Sequence, residues 1–309
     1  MSPSEVKNQR ILISPLNWGF GHVSRCIGLI HQLNEQDNFV VLACDKDQRV
    51  IFLEYFPDLE YVNHEGYPFD FKGKGKFGNE LVSVILPLRE RLKKERIETE
   101  KLVEKFNIDL VIADHRYGFV STQVPSIFIT HQYELPVKWY EIAVRKVHGQ
   151  LMKQFNEIWI MDYEDSRLAG DLSVASSDIR RTYIGPYSRF SQYEVPKEKT
   201  IEKVIIISGP TIYGQQLLDE QLNNLVSKSV AVIASPEIKI RDGIKTFSKS
   251  WKEQDVAILS ASHIVSRSGY STIMDLELLK TPATLFPTKG QREQEYLYDL
   301  HFGIKDYLE

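Results

Sequence analysis

Cysteine is scarce: the chain of 309 residues holds two, Cys26 and Cys44, each inside an apolar segment. That excludes a disulfide framework, and both thiols are expected reduced in the core. No His/Cys cluster has the spacing of a zinc site, so no metal is expected there. No apolar run approaches the about 18 residues that a membrane-crossing helix needs. Met1 to Arg10 is polar with no hydrophobic leader, so a cytoplasmic location is the expectation. A basic excess is missing too: 38 Lys and Arg stand against 42 Asp and Glu, a formal net charge of −4, which argues against nucleic acid as a partner. The third glycine of the dinucleotide fingerprint, the phosphate-loop lysine and the serine of a nucleophile elbow are all absent. What remains is ordinary globular composition, 42% hydrophobic and 26% charged, at a length for which two domains are the default.

Short apolar runs alternate with helical patterns. Arg10–Ser14, Phe39–Cys44, Asp109–Ala113, Ser126–Ile129, Glu157–Met161 and Thr182–Ile184 read as buried strands, with a weaker strand near Tyr61. Between them lie helices from about His22 to Leu33, near Asp47–Tyr55, from about Leu81 to Phe106, and over 135–155. The pattern pauses after Gly185-Pro186 and restarts at Val204–Ile207. Strands without polar alternation, separated by helices, predict an α/β fold of two doubly wound parallel-sheet, Rossmann-like domains. Their expected bounds are 1–187 and 200–309, with a polar linker at 188–199. In such sheets ligands sit beyond the carboxyl ends of the strands, so a cleft between the two domains is the expected site.

Two loops carry the chemistry. Ser266-Arg267-Ser268-Gly269-Tyr270-Ser271-Thr272 runs from an apolar strand into a helix. Small hydroxyls and backbone N–H groups at a helix amino end make a phosphate cradle. Gly19-Phe20-Gly21-His22 stands between the first strand and its helix, where glycines allow close backbone approach. His22 near a helix amino end is expected as a neutral general base, with Asp114 as the alternative. His115, His131 and Gln132 end neighbouring strands and are candidate acceptor contacts; Asp114 serves equally as a helix cap. Asp45-Lys46-Asp47 reads as a helix cap in preference to a two-carboxylate metal motif. Segment 71–96, a lysine loop followed by an apolar-then-basic helix start, is either a core-packed helix with a solvated charged end or a peripheral membrane contact at the inner face.

Together these residues resemble the GT-B nucleotide-sugar glycosyltransferases of family 28, the MurG-like enzymes. The glycine-histidine loop at 19–22 is similar to that family's amino-terminal signature. Arg267-Ser268-Gly269, Thr272, Asp275, Pro282, Phe286-Pro287 and Gln294 are similar to its donor-site signature. The resemblance implies an inverting, metal-independent transfer of a hexosyl or N-acetylhexosaminyl group from a UDP-sugar to a glycan or lipid-linked hydroxyl, in cell-envelope polysaccharide synthesis, without a cofactor. It implies that Ser268 and Gly269, with the helix amino end at Ser271 and Thr272, hold the diphosphate, that Arg267 adds charge or braces the loop, and that Ser208 and Gly209 belong to the loop opening the donor domain. Asp275 would meet the ribose, and Gln291, Gln294 and Glu295 the sugar; Gly19 and Gly21 would line the acceptor side. The sequence departs from the family pattern at Asp275, where a glutamate is usual, and at Tyr298, where an asparagine is usual. It also ends at Glu309, where members usually continue. The alternatives that fit the same residues are a non-catalytic or partner-dependent nucleotide-sugar-binding protein and a UDP-sugar 2-epimerase.

Overall fold

Parallel pairing of buried apolar strands organises both halves of the computed structural model, which describes residues 1–68, 85–135, 142–175, 179–209, 211–223 and 229–303. Contacts divide the chain into two compact units, one extending to Arg189 and the other beginning at Phe190.

The first unit contains β1 (Arg10–Pro15), α1 (Phe20–Asn34), β2 (Phe39–Cys44), α2 (Lys46–Tyr55), β3 (Glu60–Asn63), α3 (Ile85–Phe106), β4 (Leu110–Asp114), β5 (Ser126–Thr130), α4 (Ile142–Met152), β6 (Glu157–Ile160) and β7 (Arg181–Tyr183). Its seven strands lie in the order β3-β2-β1-β4-β5-β6-β7. Central β1 sets Ile11, Leu12 and Ile13 beside Val40, Val41 and Leu42 on one side and beside Leu110, Val111 and Ile112 on the other. These side chains are all buried, and each contributes roughly 1.5–3 kcal/mol by leaving water. Such complete burial explains why the runs show no polar alternation.

The second unit contains β8 (Ile201–Ile206), α5 (Thr211–Asn223), β9 (Val230–Ile233), β10 (Lys245–Phe247), α6 (Trp251–Leu259), β11 (Ala261–Arg267), α7 (Tyr270–Leu279), β12 (Ala283–Phe286) and α8 (Arg292–Phe302). Its five strands run β10-β9-β8-β11-β12, again all parallel.

Several elements depart from the sequence expectation. Helix α1 begins at Phe20, two positions before the histidine expected to open it. One expectation is met, since Asp45 caps α2 by accepting from Gln48 N–H at 2.9 Å. The stretch read as a polar linker buries Ser188 and Phe190, the latter within the second unit's core. Ser188 also explains a glycine inside α1: a Cβ on Gly28 would stand 2.8 Å from the Ser188 carbonyl carbon. The lysine loop, the start of the predicted helix at 81–84 and the start of that at 136–141 lie outside the described residues. Among the described residues, no helix is long and apolar enough to cross a membrane.

Strand order reverses in the first sheet between β1 and β4, and in the second between β8 and β11. A crevice opens beyond the carboxyl ends of the strands at each such switch point. Both motif loops of the sequence lie there: 15–22 and 114–116 in the first unit, 207–209 and 267–269 in the second.

Candidate active site

Register carries Asp114 to the switch point. As the last residue of β4 it pairs with Pro15, the last residue of β1. From there its carboxylate reaches α1, which leaves the same crevice through Gly19. That glycine is the N-cap at φ 103°, a backbone region that favours glycine, and it offers no side-chain cap. His22, in the first turn, brings Nδ1 to 2.8 Å from Asp114 Oδ2. The histidine side chain keeps 15% of its surface exposed, whereas Asp114 has none.

Arg25, one turn further along α1, completes the group. Its Nε contacts both Asp114 oxygens at 3.1 Å, and its Nη2 donates to Oδ1. Nη2 also stands 2.7 Å from His22 Nδ1, which either donates to Asp114 or accepts from Arg25, and Nη1 donates to His131 Nδ1 at 3.2 Å. That last bond places a neutral His131's proton on Nε2. His115, at φ 54°, sits edge-on to the His22 ring with centroids 5.7 Å apart and meets the Thr130 hydroxyl through Nε2 at 2.7 Å. Gln132 takes its N–H to Thr130 Oγ1 at 2.8 Å, and its carbonyl accepts from His148 Nε2 at 3.0 Å. His22, Asp114, His115 and His131 are thus brought into one cluster, while Gln132 shapes its edge.

Burial alone would raise the Asp114 carboxyl, but Arg25 and His22 outweigh it and hold the acid well below the usual carboxylate range. For His22, burial and then Arg25 lower the pKa, against an upward pull from Asp114. Burial and Arg25, not the helix dipole, are the main causes of the lowered His22 pKa. Burial pushes the Cys26 thiol, 3.5 Å from Asp114, well above its ordinary value. That keeps it protonated and unreactive.

In the second unit, Gly269 is the N-cap of α7 with no side-chain cap, and the first backbone bond of the helix runs from Ile273 N–H to the Gly269 carbonyl at 3.1 Å. Ser271 and Thr272 lie half-exposed in its first turn and Asp275 half-buried in the next. Ser208 and Gly209, the latter at φ 81°, are exposed beyond β8. Other predicted donor contacts are occupied with the protein itself. Ser268 is fully buried and donates its hydroxyl to the Gln294 carbonyl at 2.8 Å. Arg267 braces the loop after β12 and the first turn of α5 by donating to the Pro287 and Tyr213 carbonyls at 3.2 and 2.6 Å. Gln294 Oε1 accepts from Thr288 N–H at 2.9 Å, while its Nε2 donates to Gln291 Oε1 at 2.6 Å. Glu295 Oε1 accepts from Gly290 N–H at 2.9 Å. Arg267, Gln291, Gln294 and Glu295 hold the 287–291 loop in shape.

Sequence reasoning missed Arg25. Its signal was a lone charge among Val23, Cys26, Ile27, Leu29 and Ile30, three positions after the histidine. Among the described residues, no group of three or more His, Cys, Asp or Glu is placed to hold a metal ion.

The chain aligns over 94% of its length with the kitacinnamycin glycotransferase, at 14% identity, 83% coverage of that chain and a TM-score of 0.57. The spinosyn rhamnosyltransferase SpnG complexed with thymidine diphosphate matches it over 94% of this chain and 83% of that one, at 13% identity and a TM-score of 0.57. The two-sheet plan is theirs. The chain has a GT-B fold. Arabidopsis thaliana UGT89C1 complexed with UDP-L-rhamnose is similar over 96% of this chain and 82% of that one, at 14% identity and a TM-score of 0.55. At such identity the likeness is one of fold. No protein-family model and no curated protein matches the sequence.

Proposed function

We propose that this chain is an inverting, metal-independent glycosyltransferase of the family 28 type, moving a hexosyl or N-acetylhexosaminyl group from a UDP-sugar to a glycan or lipid-linked hydroxyl. What supports the reading most is the His22–Asp114 pair at the switch point of the first sheet, on a fold shared with nucleotide-sugar glycosyltransferases. In the second unit the uncapped start of α7 would receive the diphosphate on its backbone N–H groups. Asp275 would accept from the ribose hydroxyls. The 287–291 loop, held by Gln291, Gln294 and Glu295, would meet the sugar.

The acceptor oxygen attacks the anomeric carbon, and the bond from that carbon to the diphosphate oxygen breaks with its electron pair on the leaving nucleotide. The acceptor proton passes to His22 Nε2 while Nδ1–H donates to Asp114. Backbone donors fixed before the reaction stabilise the growing diphosphate charge without reorganising.

The test is incubation with UDP-, GDP- and TDP-sugars and candidate acceptors, following nucleotide binding and release. Absence of binding at millimolar concentration would overturn the proposal. His22→Ala is expected to leave nucleotide-sugar affinity within a few-fold and to cut turnover by about 10²–10⁴. Equal turnover in that variant removes His22 as the base.

A further inference from the structure

Arg25 is buried on α1, and its guanidinium reaches Asp114 at the end of β4, His131 just beyond β5 and His22 on its own helix. We propose that Arg25 is a positioning residue for the transfer reaction: it clamps Asp114 beside the His22 ring, and with Nδ1–H on that carboxylate the Nε2 lone pair is presented to the acceptor hydroxyl. The inference rests on the transferase reading above.

The geometry makes a division of labour. Arg25 Nε and Nη2 both grip the carboxylate, whose Oδ2 lies 2.8 Å from His22 Nδ1. A rigid planar fork can hold a carboxylate this way, and a lysine cannot. The arginine leaves Asp114 charged, yet cancels most of that charge before it reaches the ring. Nη2 at 2.7 Å from Nδ1 makes a second positive charge on the imidazole costly.

Without Arg25, the buried Asp114 would turn to His22 as its main partner. A charged imidazolium–carboxylate pair would form, Nε2 would keep its proton, and the base would be lost near neutrality. The groups facing His22 are Arg25 from its own helix, Asp114 and His115 from the end of β4, and His131 beyond β5. Of these only Asp114 carries negative charge. Arg25 therefore decides whether that charge protonates the ring or merely aligns it. Burial and Arg25 acting together hold the wild-type His22 pKa below its ordinary value.

The experiment is the titration of the His22 ring by NMR in the intact protein, beside the pH profile of kcat, for wild type, Arg25→Met and Arg25→Lys. Arg25→Met is expected to raise the His22 midpoint by about one pH unit or more. Its kcat at pH 7 should fall at least tenfold, with activity returning as the pH rises. Arg25→Lys keeps the cation and loses the fork, so its midpoint should stay low while kcat falls. An unchanged His22 midpoint in folded Arg25→Met overturns the proposal. So does wild-type kcat in Arg25→Lys, which decides the matter if the methionine variant does not fold. The NMR titration needs no turnover. A shifted midpoint in a protein that turns over no nucleotide sugar would sink the transferase reading and leave the ring-positioning role standing.

Discussion

Ser268 illustrates how a residue can belong to a site without touching its ligand. Its place in the Arg267-Ser268-Gly269 turn suggests a hydroxyl for phosphate, but the side chain is fully buried and donates to the Gln294 carbonyl. It ties the start of α7 to the start of α8. The donors left for an anion are then backbone groups at the amino end of α7, which substitution at Ser268 does not remove. Ser268→Ala should cost about 1 kcal/mol of stability through the lost hydrogen bond, measured by urea unfolding. UDP affinity, measured by calorimetry, should fall only a few-fold. A loss of a hundredfold or more with unchanged stability would return the hydroxyl to the phosphate. Arg267 follows the same logic, since both of its described bonds go to backbone carbonyls.

Helix α3 shows at the scale of an element why part of the fold could not be read from pattern. Its inward stripe is Arg91, Glu95, Thr99 and Val103, each one turn apart and each buried. An apolar-periodicity reading looks for hydrophobic residues at that spacing and finds them elsewhere: Ile97 on the same helix is 60% exposed. Glu95 falls in the part of segment 71–96 that reads as a solvated charged end. Instead it accepts from Arg116 Nε and from the Tyr67 hydroxyl, both at 2.6 Å, and both side chains of the ion pair are fully buried. Burial pushes the Glu95 acid upward, but Arg116 and the hydrogen bonds from His64 and Tyr67 prevail and hold it below its ordinary value. Its contribution is present above the unfolded-state pKa and is lost as pH falls through the lowered folded-state value. Glu95→Ala should therefore destabilise by about 3–5 kcal/mol, because it strands a buried arginine. Glu90→Ala, on the exposed side of the same helix, should stay within about 0.5 kcal/mol. Equal denaturant midpoints for the two variants would refute the inward stripe. By contrast, strands β1, β2, β4, β5 and β6 were readable, because burial on both faces writes itself as unbroken apolar runs, whereas the more exposed β10 carries no such run. Asp114 and the two glycine loops were readable because they follow those runs directly. Arg25 was not, since its partners come from strands distant in sequence.

The two units repeat one solution at the scale of the molecule: a parallel sheet, a reversal of strand order, and a helix leaving the reversal through an uncapped glycine. They differ in what surrounds that start. In the first unit a histidine and an arginine of the opening turns of α1 lock onto the aspartate that ends β4, which suits the proposed proton transfer. In the second, Ser271 and Thr272 stand half-exposed beside the N-cap, which suits an anion. Fold likeness alone could not assign these roles, because the shared topology is the same in each half. The proposed division has a direct consequence for a nucleotide without its sugar. UDP should protect the half that binds diphosphate and leave the base-bearing half nearly untouched. Hydrogen exchange with saturating UDP should slow the amides of 268–273 and of the 287–291 loop. Exchange at 17–22 and 114–116 should change little until an acceptor is added. Nucleotide at a hundred times its dissociation constant should also stabilise the protein by about 2.7 kcal/mol, seen as a raised unfolding midpoint. Protection centred on 17–22 with none at 268–273 would place the nucleotide in the first unit and reverse the assignment.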